Sequence, residues 1–162
     1  MKKQGADLSQ ILGQWKRERP DIDPSCMVVC GAVWRAGKRL NAGVSENLKQ
    51  YDLDFAAMDV LLTLRRNGCN NPMKPSQMAQ DMMLSTAAMT ARLDRLEARG
   101  LLIRENLKTD RRSVAISLSD EGRHLADKMV VTHVATEQKM LEKLNEADQK
   151  TLLLLLEKLA VD

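Results

Sequence analysis

The spacing of apolar residues changes character along the chain. Over most of the sequence, apolar positions recur every three or four residues, which is typical of helices with one buried face. This pattern predicts helices over 7–18, from Pro24 to about Gly43, and over 55–66, 75–84, 86–99, 120–144 and 146–160. Residues 101–106 and 113–118 alternate between apolar and polar instead, so they predict the two strands of a hairpin.

Capping residues mark the predicted ends. Asp54, Ser85 and Ser119 each precede a helical stretch, while Asn67-Gly68 and Gly100 follow one. The predicted fold class is therefore mainly α with a small β-wing: a winged helix-turn-helix with N- and C-terminal dimerisation helices. We expect one domain over 1–162, with 54–118 as the DNA-binding lobe and 1–53 and 119–162 as the dimerisation helices.

Leucines at 152–156 surround a full helical turn, which is more apolar surface than one surface helix needs. A second copy of the chain is the natural cover, so we expect a homodimer.

Composition narrows the class further. The chain has 162 residues, 44% of them hydrophobic, and a net charge of +3, which is too small to establish a nucleic-acid partner by itself. The first residues do not predict a signal peptide, and the leucine run is far shorter than a membrane span. The number of cysteines is odd, and their spacing is not that of metal ligands: Cys26, Cys30 and Cys69. These features predict a cytoplasmic protein with no membrane partner, metal or cofactor. Cys26 and Cys30 are expected to be small core residues, with a thiol switch as the alternative.

The helix over 86–99 has two different faces. Met89, Leu93 and Leu96 form one buried stripe, and the opposite face carries small and polar residues: Ala87, Thr90, Ala91, Asp94 and Arg95. Small residues let a helix approach base edges in the major groove. We expect Thr90 and Arg95 to read bases, and Ser85 and Thr86 to bind phosphate at the helix N-terminus. A plain solvent-exposed helix would show the same pattern.

The polar break in the hairpin shifts that balance towards DNA. It carries Lys108, Asp110, Arg111 and Arg112, and long cations suit the narrow, negative minor groove. We expect Asp110 to hold one arginine and keep the tip rigid while the other reaches outward. Which arginine enters the groove stays open.

These residues resemble the MarR-type winged-helix regulators. The matching stretches are "KPSQMAQDMMLSTAAMTARLDRLEARGLLIRE" and the wing "TDRRSVAISLSDEG", with helices on both sides. The resemblance implies a dimer that binds a pseudo-palindromic operator in double-stranded DNA and is released by a small molecule. One departure is Lys74, which stands where the family often has a capping Ser or Thr.

Four further residues resemble the urate-responsive branch of that family: Trp15, Asp59, Arg92 and Arg104. The resemblance implies that they line or couple to an effector pocket. Trp can stack on a flat ring, Arg can meet its charge and Asp can accept from its N–H groups. The expected effectors are urate, xanthine or a phenolic acid.

The sequence thus indicates a dimeric, sequence-specific transcriptional regulator, a repressor released by a small aromatic or purine-like anion. Two alternatives remain at this stage: a regulator of the same fold controlled by thiol oxidation, and a winged-helix protein–protein module without DNA binding. An enzyme is not expected, because His124 and His133 have no nucleophile or metal motif near them in sequence.

Overall fold

The computed structural model describes residues 7–68, 71–82, 89–107 and 110–160. Its helices are α1 (Leu8–Glu18), α2 (Ser25–Leu48), α3 (Phe55–Arg66), α4 (Pro75–Asp81), α5 (Met89–Ala98), α6 (Asp120–Leu141) and α7 (Glu146–Ala160), with a 3-10 turn at Lys49–Tyr51. The strands β1 (Leu102–Leu107) and β2 (Asp110–Leu118) form one antiparallel hairpin. The predicted fold class, mainly α with a small β-wing, is confirmed. Two compact units make up the chain, one ending at Ala42 and the other beginning at Gly43.

In the first unit, aspartates begin both helices. The Asp7 carboxylate accepts a hydrogen bond from the Ser9 N–H at 3.2 Å, and Asp23 accepts from the Ser25 N–H at 3.0 Å. Where α1 meets α2, a Cβ at Gly31 would lie 2.8 Å from a methyl carbon of Leu8. Glycine therefore allows the two helices to touch.

The prediction that α2 ends near Gly43 was wrong, since the helix continues to Leu48. Gly43 is a packing residue here: a Cβ at this position would collide with the thioether of Met140 on α6. The turn beyond it is buried, with Val44 at 3% and Leu48 at 0% exposure. Burial of this turn within the second unit outweighs the low helix propensity of glycine.

Helix α3 lies at the centre of the second unit. Asp54 caps it as predicted, because its carboxylate accepts from the Ala57 N–H at 2.7 Å. Helix α3 contacts α4, α5, α6 and β2. The buried core that these elements share includes Val60, Leu61, Met78, Leu93, Leu96, Ile116, Ala126 and Met129. The core fixes α5 and the hairpin on one scaffold.

The hairpin has an irregular register. Leu102 pairs with Leu118 and Asn106 with Val114, but the next pair is Leu107 with Asp110. Residues 111–113 of β2 therefore have no partner on β1. At the base of the hairpin, Met73 joins Ile116 through two backbone hydrogen bonds of 2.9 and 2.8 Å, which ties the segment before α4 to the wing.

A polar junction joins the end of α5 to the start of α6. Gly100 has a φ of +71°, and the Gly100 and Leu101 N–H groups donate back to Glu97 and Leu96 at 2.8 and 3.0 Å, which closes the helix. The Ser119 hydroxyl donates to the Gly100 carbonyl at 2.6 Å and accepts from the Gly122 N–H at 2.9 Å. Ser119 thus caps α6, as predicted, and also holds it against α5.

Helix α7 leaves its leucines uncovered. Leu152 to Leu156 are 39% to 58% exposed, and Leu159 is 65% exposed. Among the described helices, none is both long enough and apolar enough to cross a membrane.

Candidate nucleic-acid interface

Helix α5 presents a polar face to solvent and an apolar face to the core. Leu93 and Leu96 are 3% and 2% exposed, and they anchor the helix against α3. Thr90, Ala91, Asp94 and Arg95 are exposed on the other side. The predicted two-faced pattern is therefore present, with side chains small enough near Ala91 for a close approach. Ser85 and Thr86 lie outside the described residues.

The backbone of the wing differs from the prediction. Asp110, Arg111 and Arg112 were expected in the turn, but β2 begins at Asp110. No Pro or Gly interrupts this segment, so the antiparallel pairing extends to Leu107 and Asp110. Lys108 lies outside the described residues, as do the side chains of residues 110–112. The roles of these four residues at DNA stay predictions.

Arg104 joins the wing to α5. Its guanidinium pairs with Asp94, and its Nε lies 3.0 Å from a carboxylate oxygen of Glu97. Both partners are on α5, so one arginine of β1 ties the strand to the helix. The side chains are 29% to 55% exposed, which weakens each ion pair through solvent screening.

Arg92 lies on the side of α5 that is turned partly towards the protein. It is half-buried, and its Nε and Nη1 are enclosed without a hydrogen-bond partner among the described residues. An enclosed polar group without a partner costs about 1–3 kcal/mol, and more when it is charged. Arg92 is therefore positioned to gain from an incoming anion.

A small pocket lies beside Arg92, between α5 and the start of α3. Its volume is about 200 Å³, and its polar lining comes from Asp52 and Asp54 on one side and from Arg92, Arg95 and Arg99 on the other. We call it the arginine pocket. Sequence reasoning did not assign Arg99, Asp52 or Asp54 to a site. The spacing of the arginines at i, i+3 and i+7 was the available signal, because it places all three on one side of a helix.

The remaining effector candidates lie in different places. Asp59 is 3% exposed within α3 and does not line the arginine pocket among the described residues. Trp15 is on α1, in the unit that ends at Ala42, and is 39% exposed. The structure thus brings Arg92 together with Arg95, and Arg104 together with α5.

Comparison with known proteins decides the family. The model of the MarR family matches residues 56–114. The HTH-type transcriptional regulator PecS of Dickeya dadantii (strain 3937) is 37% identical over 150 residues, which cover 93% of this chain and 90% of that protein. This chain belongs to the MarR family. It is a DNA-binding transcriptional regulator, and members of the family are not enzymes.

Two solved structures place the MarR-family chain among similar folds. The structure titled for the regulation of DNA binding of Bordetella bronchiseptica BpsR by 6-hydroxynicotinic acid has a TM-score of 0.73 and 27% identity, and covers 83% of this chain and 94% of its own. A cysteine mutant of E. coli MarR complexed with operator DNA has a TM-score of 0.72, covering 91% and 98%. At 20% identity, the second likeness shows the fold alone.

The prediction that the two cysteines of α2 are core residues was wrong. Cys26 and Cys30 are exposed free thiols, not core residues. They line an apolar groove with Leu8, Ile11 and Trp34, because α1 covers only part of α2.

Proposed function

We propose that this MarR-family chain is a homodimeric repressor that binds a pseudo-palindromic operator and is released by a small aromatic or purine-like anion. One observation carries the DNA half of the proposal. The polar face of α5 stays exposed while Leu93 and Leu96 fix the helix, and Arg104 ties the wing beside it. Such a rigid helix and hairpin can enter adjacent grooves with little loss of entropy.

The proposed DNA contacts follow from position. Thr90 and Arg95 read base edges in the major groove, and Ser85 and Thr86 bind phosphate at the start of the helix. The wing residues Lys108, Asp110, Arg111 and Arg112 serve the minor groove. Half-sites would then lie about 10 base pairs apart, one helical turn.

The proposed dimer rests on uncovered apolar surface. The leucines of α7 are exposed, and in the other unit Trp34 and Val29 of α2 are 74% and 64% exposed. Exposed apolar side chains in this number favour a protein–protein contact, and a second copy supplies equally apolar helices.

The proposed effector site uses Trp15, Asp59, Arg92 and Arg104. The enclosed, unpartnered nitrogens of Arg92 support an anionic ligand. BpsR, whose DNA binding is regulated by 6-hydroxynicotinic acid, supports a small aromatic acid as the class. Urate, xanthine and phenolic acids share that chemistry. A ligand that drew Arg104 from Asp94 and Glu97 would loosen the wing from α5.

The first experiment measures affinity for DNA from upstream of the protein's own gene over a range of salt concentrations. Changing both Arg111 and Arg112 to Ala should weaken binding to all DNA sequences. It should also reduce the slope of log affinity against log salt concentration by up to about two. Lys150→Ala on α7 is the matched control, and it should leave the slope unchanged. Wild-type protein with no salt-dependent DNA affinity would favour the protein–protein module instead.

The second experiment titrates urate, xanthine and salicylate against the protein–DNA complex. A tenfold loss of DNA affinity corresponds to about 1.4 kcal/mol of coupling, which one charged hydrogen bond made in a single state can supply. Trp15→Ala, Asp59→Asn and Arg92→Ala should reduce the response. No response from the wild type would contradict effector control, and equal responses from all variants would remove these residues from the site.

Thiol control is a second candidate, favoured by the exposure of Cys26 and Cys30. Peroxide would release DNA from the wild type but not from a variant with both residues changed to Ser. Release from both proteins would exclude these two thiols.

A further inference from the structure

The arginine pocket has an excess of positive charge that no internal pairing removes. Arg92, Arg95 and Arg99 face Asp52 and Asp54, which leaves one positive charge in excess. Among the described residues, none of the three arginines forms an ion pair. The Nε of Arg95 donates to the carbonyl of Ala91 at 3.3 Å, within its own helix.

Arg99 uses its guanidinium differently from the other two. It donates to the backbone carbonyl of Asp52 at 2.6 Å and to that of Tyr51 at 3.1 Å. The residue that follows α5 is thereby tied to the end of the 3-10 turn that follows α2. Neutral carbonyls are weaker acceptors for a guanidinium than a carboxylate or a phosphate, so an anion in the pocket can compete for Arg99.

Tyr51 extends the connection to α6. Its hydroxyl lies 2.7 Å from the Thr132 hydroxyl, which also lies 3.3 Å from the side-chain oxygen of Asn47 on α2. Tyr51 is 7% exposed, so these bonds lie in a largely dry environment. A change at Arg99 therefore reaches a residue whose side chain contacts α6 and, through Thr132, the end of α2.

We propose that the arginine pocket binds a small oxyanion, a carboxylate or a phosphate, and that the bound anion draws Arg99 away from the carbonyls of Tyr51 and Asp52. Arg92 lines the pocket, and its Nε and Nη1 have no hydrogen-bond partner among the described residues. Helix α3 adds the positive end of its dipole behind Asp54. The pocket volume of about 200 Å³ suits a ligand with a single ring or a free phosphate. Pockets for larger ligands have volumes of about 300 Å³ or more. This site goes beyond the proposed effector set, of which only Arg92 lines it.

Calorimetry on the full chain tests binding, with sodium benzoate and inorganic phosphate as probes and neutral benzamide as the matched blank. Arg92→Gln and Arg99→Gln should each lower the affinity for the probe by about tenfold or more, equivalent to about 1.4 kcal/mol. Asp52→Asn should tighten it about threefold, because one carboxylate is removed. Asp52 has a φ of +52°, which Asn tolerates well, so this variant keeps the backbone.

Arg123→Gln is the control for charge. Arg123 pairs with Asp120 on α6 and does not line the pocket, so its loss should leave the affinity within about twofold. The pair of opposite effects, weaker with Arg99→Gln and tighter with Asp52→Asn, cannot come from partial unfolding.

A second measurement follows the link through Arg99. Tyr51 is the single tyrosine of the chain, so 3-fluorotyrosine labelling yields one fluorine resonance. Benzoate or phosphate should shift that resonance in the wild type and leave it in place in Arg99→Gln at saturating probe.

Three results would overturn the proposal. The first is no heat from either probe at millimolar concentration. The second is binding that Trp15→Ala abolishes while Arg99→Gln and Asp52→Asn leave it unchanged, which would assign the anion to the proposed effector site. The third is that the wild type binds no anion, while Arg92→Gln and Arg99→Gln reduce the salt dependence of DNA affinity. That result would make the pocket a contact for the DNA backbone. In the first and third cases, DNA binding itself would stand.

Discussion

Replacing Ser119 by Ala removes one hydroxyl that serves two elements. The hydroxyl accepts from the buried Gly122 N–H at 2.9 Å and donates to the Gly100 carbonyl at 2.6 Å. Loss of a serine N-cap costs about 1 kcal/mol, and up to about 2 when the donor is buried. Gly100 is exposed, so water can replace the second bond, and its loss adds about 0.5–1 kcal/mol. The expected total is about 2 kcal/mol.

Urea denaturation at one fixed protomer concentration measures this loss, because association would shift the apparent stability. A loss of 2 kcal/mol should also lower Tm by about 4–8 °C for a chain of this size. Ser119→Thr keeps the hydroxyl and should recover most of the stability. Ser76→Ala is the matched control, since Ser76 is exposed on α4, and it should stay within about 0.5 kcal/mol of the wild type. If Ser119→Ala also stayed within that range, the junction would not hold α6 to α5 as described.

Three further predictions use single contacts. Lys74→Ser should stabilise the protein by about 0.5–1 kcal/mol in urea denaturation. The Lys74 N–H already donates to the Gln77 side chain at 2.9 Å, while the Lys74 side chain accepts no hydrogen bond from the start of α4. An unchanged urea midpoint would contradict this prediction. Arg104→Gln should cost about 0.5–1 kcal/mol after allowing for solvent screening, and a double-mutant cycle with Asp94→Asn should show a coupling; additive losses would mean that the ion pair is not formed in solution. The hydrogen bond from the Ser25 side chain holds the pKa of Asp23 below its ordinary 3.8, so this cap stabilises α2 above pH 3.8 and is lost as the pH falls through the lowered pKa. Ser25→Ala should move the titration midpoint of the Asp23 carboxyl, measured by NMR, back towards 3.8. An unchanged midpoint would mean that another group causes the shift.

Local signals were enough to predict the element order and several ends. Asp54, Ser119 and Gly100 act on neighbouring backbone groups within a few residues, so their roles can be predicted without knowing the tertiary fold. The buried stripe of α5 followed from helical spacing in the same way.

Features that depend on distant parts of the chain were missed. Gly43 continues a helix because Met140 packs on it, and nothing near Gly43 in the sequence predicts that contact. The hydrogen bond from Arg99 to the Tyr51 carbonyl joins residues 48 positions apart, so it could not be foreseen from the sequence. Charge at the wing led to a predicted turn, although charged residues do not prevent strand pairing, and β2 begins at Asp110.

The uneven register of the hairpin has an evolutionary consequence. Residues 111–113 have no partner on β1, whereas pairing resumes at Val114 and continues to Leu118. Insertions or deletions among 111–113 would change the length of the unpaired part of β2 and leave Ile116, which is 1% exposed, in the same place. Lineages that descend from a common ancestor could therefore diversify the reach of the wing, and with it the DNA they prefer, without a compensating change in the hydrophobic core.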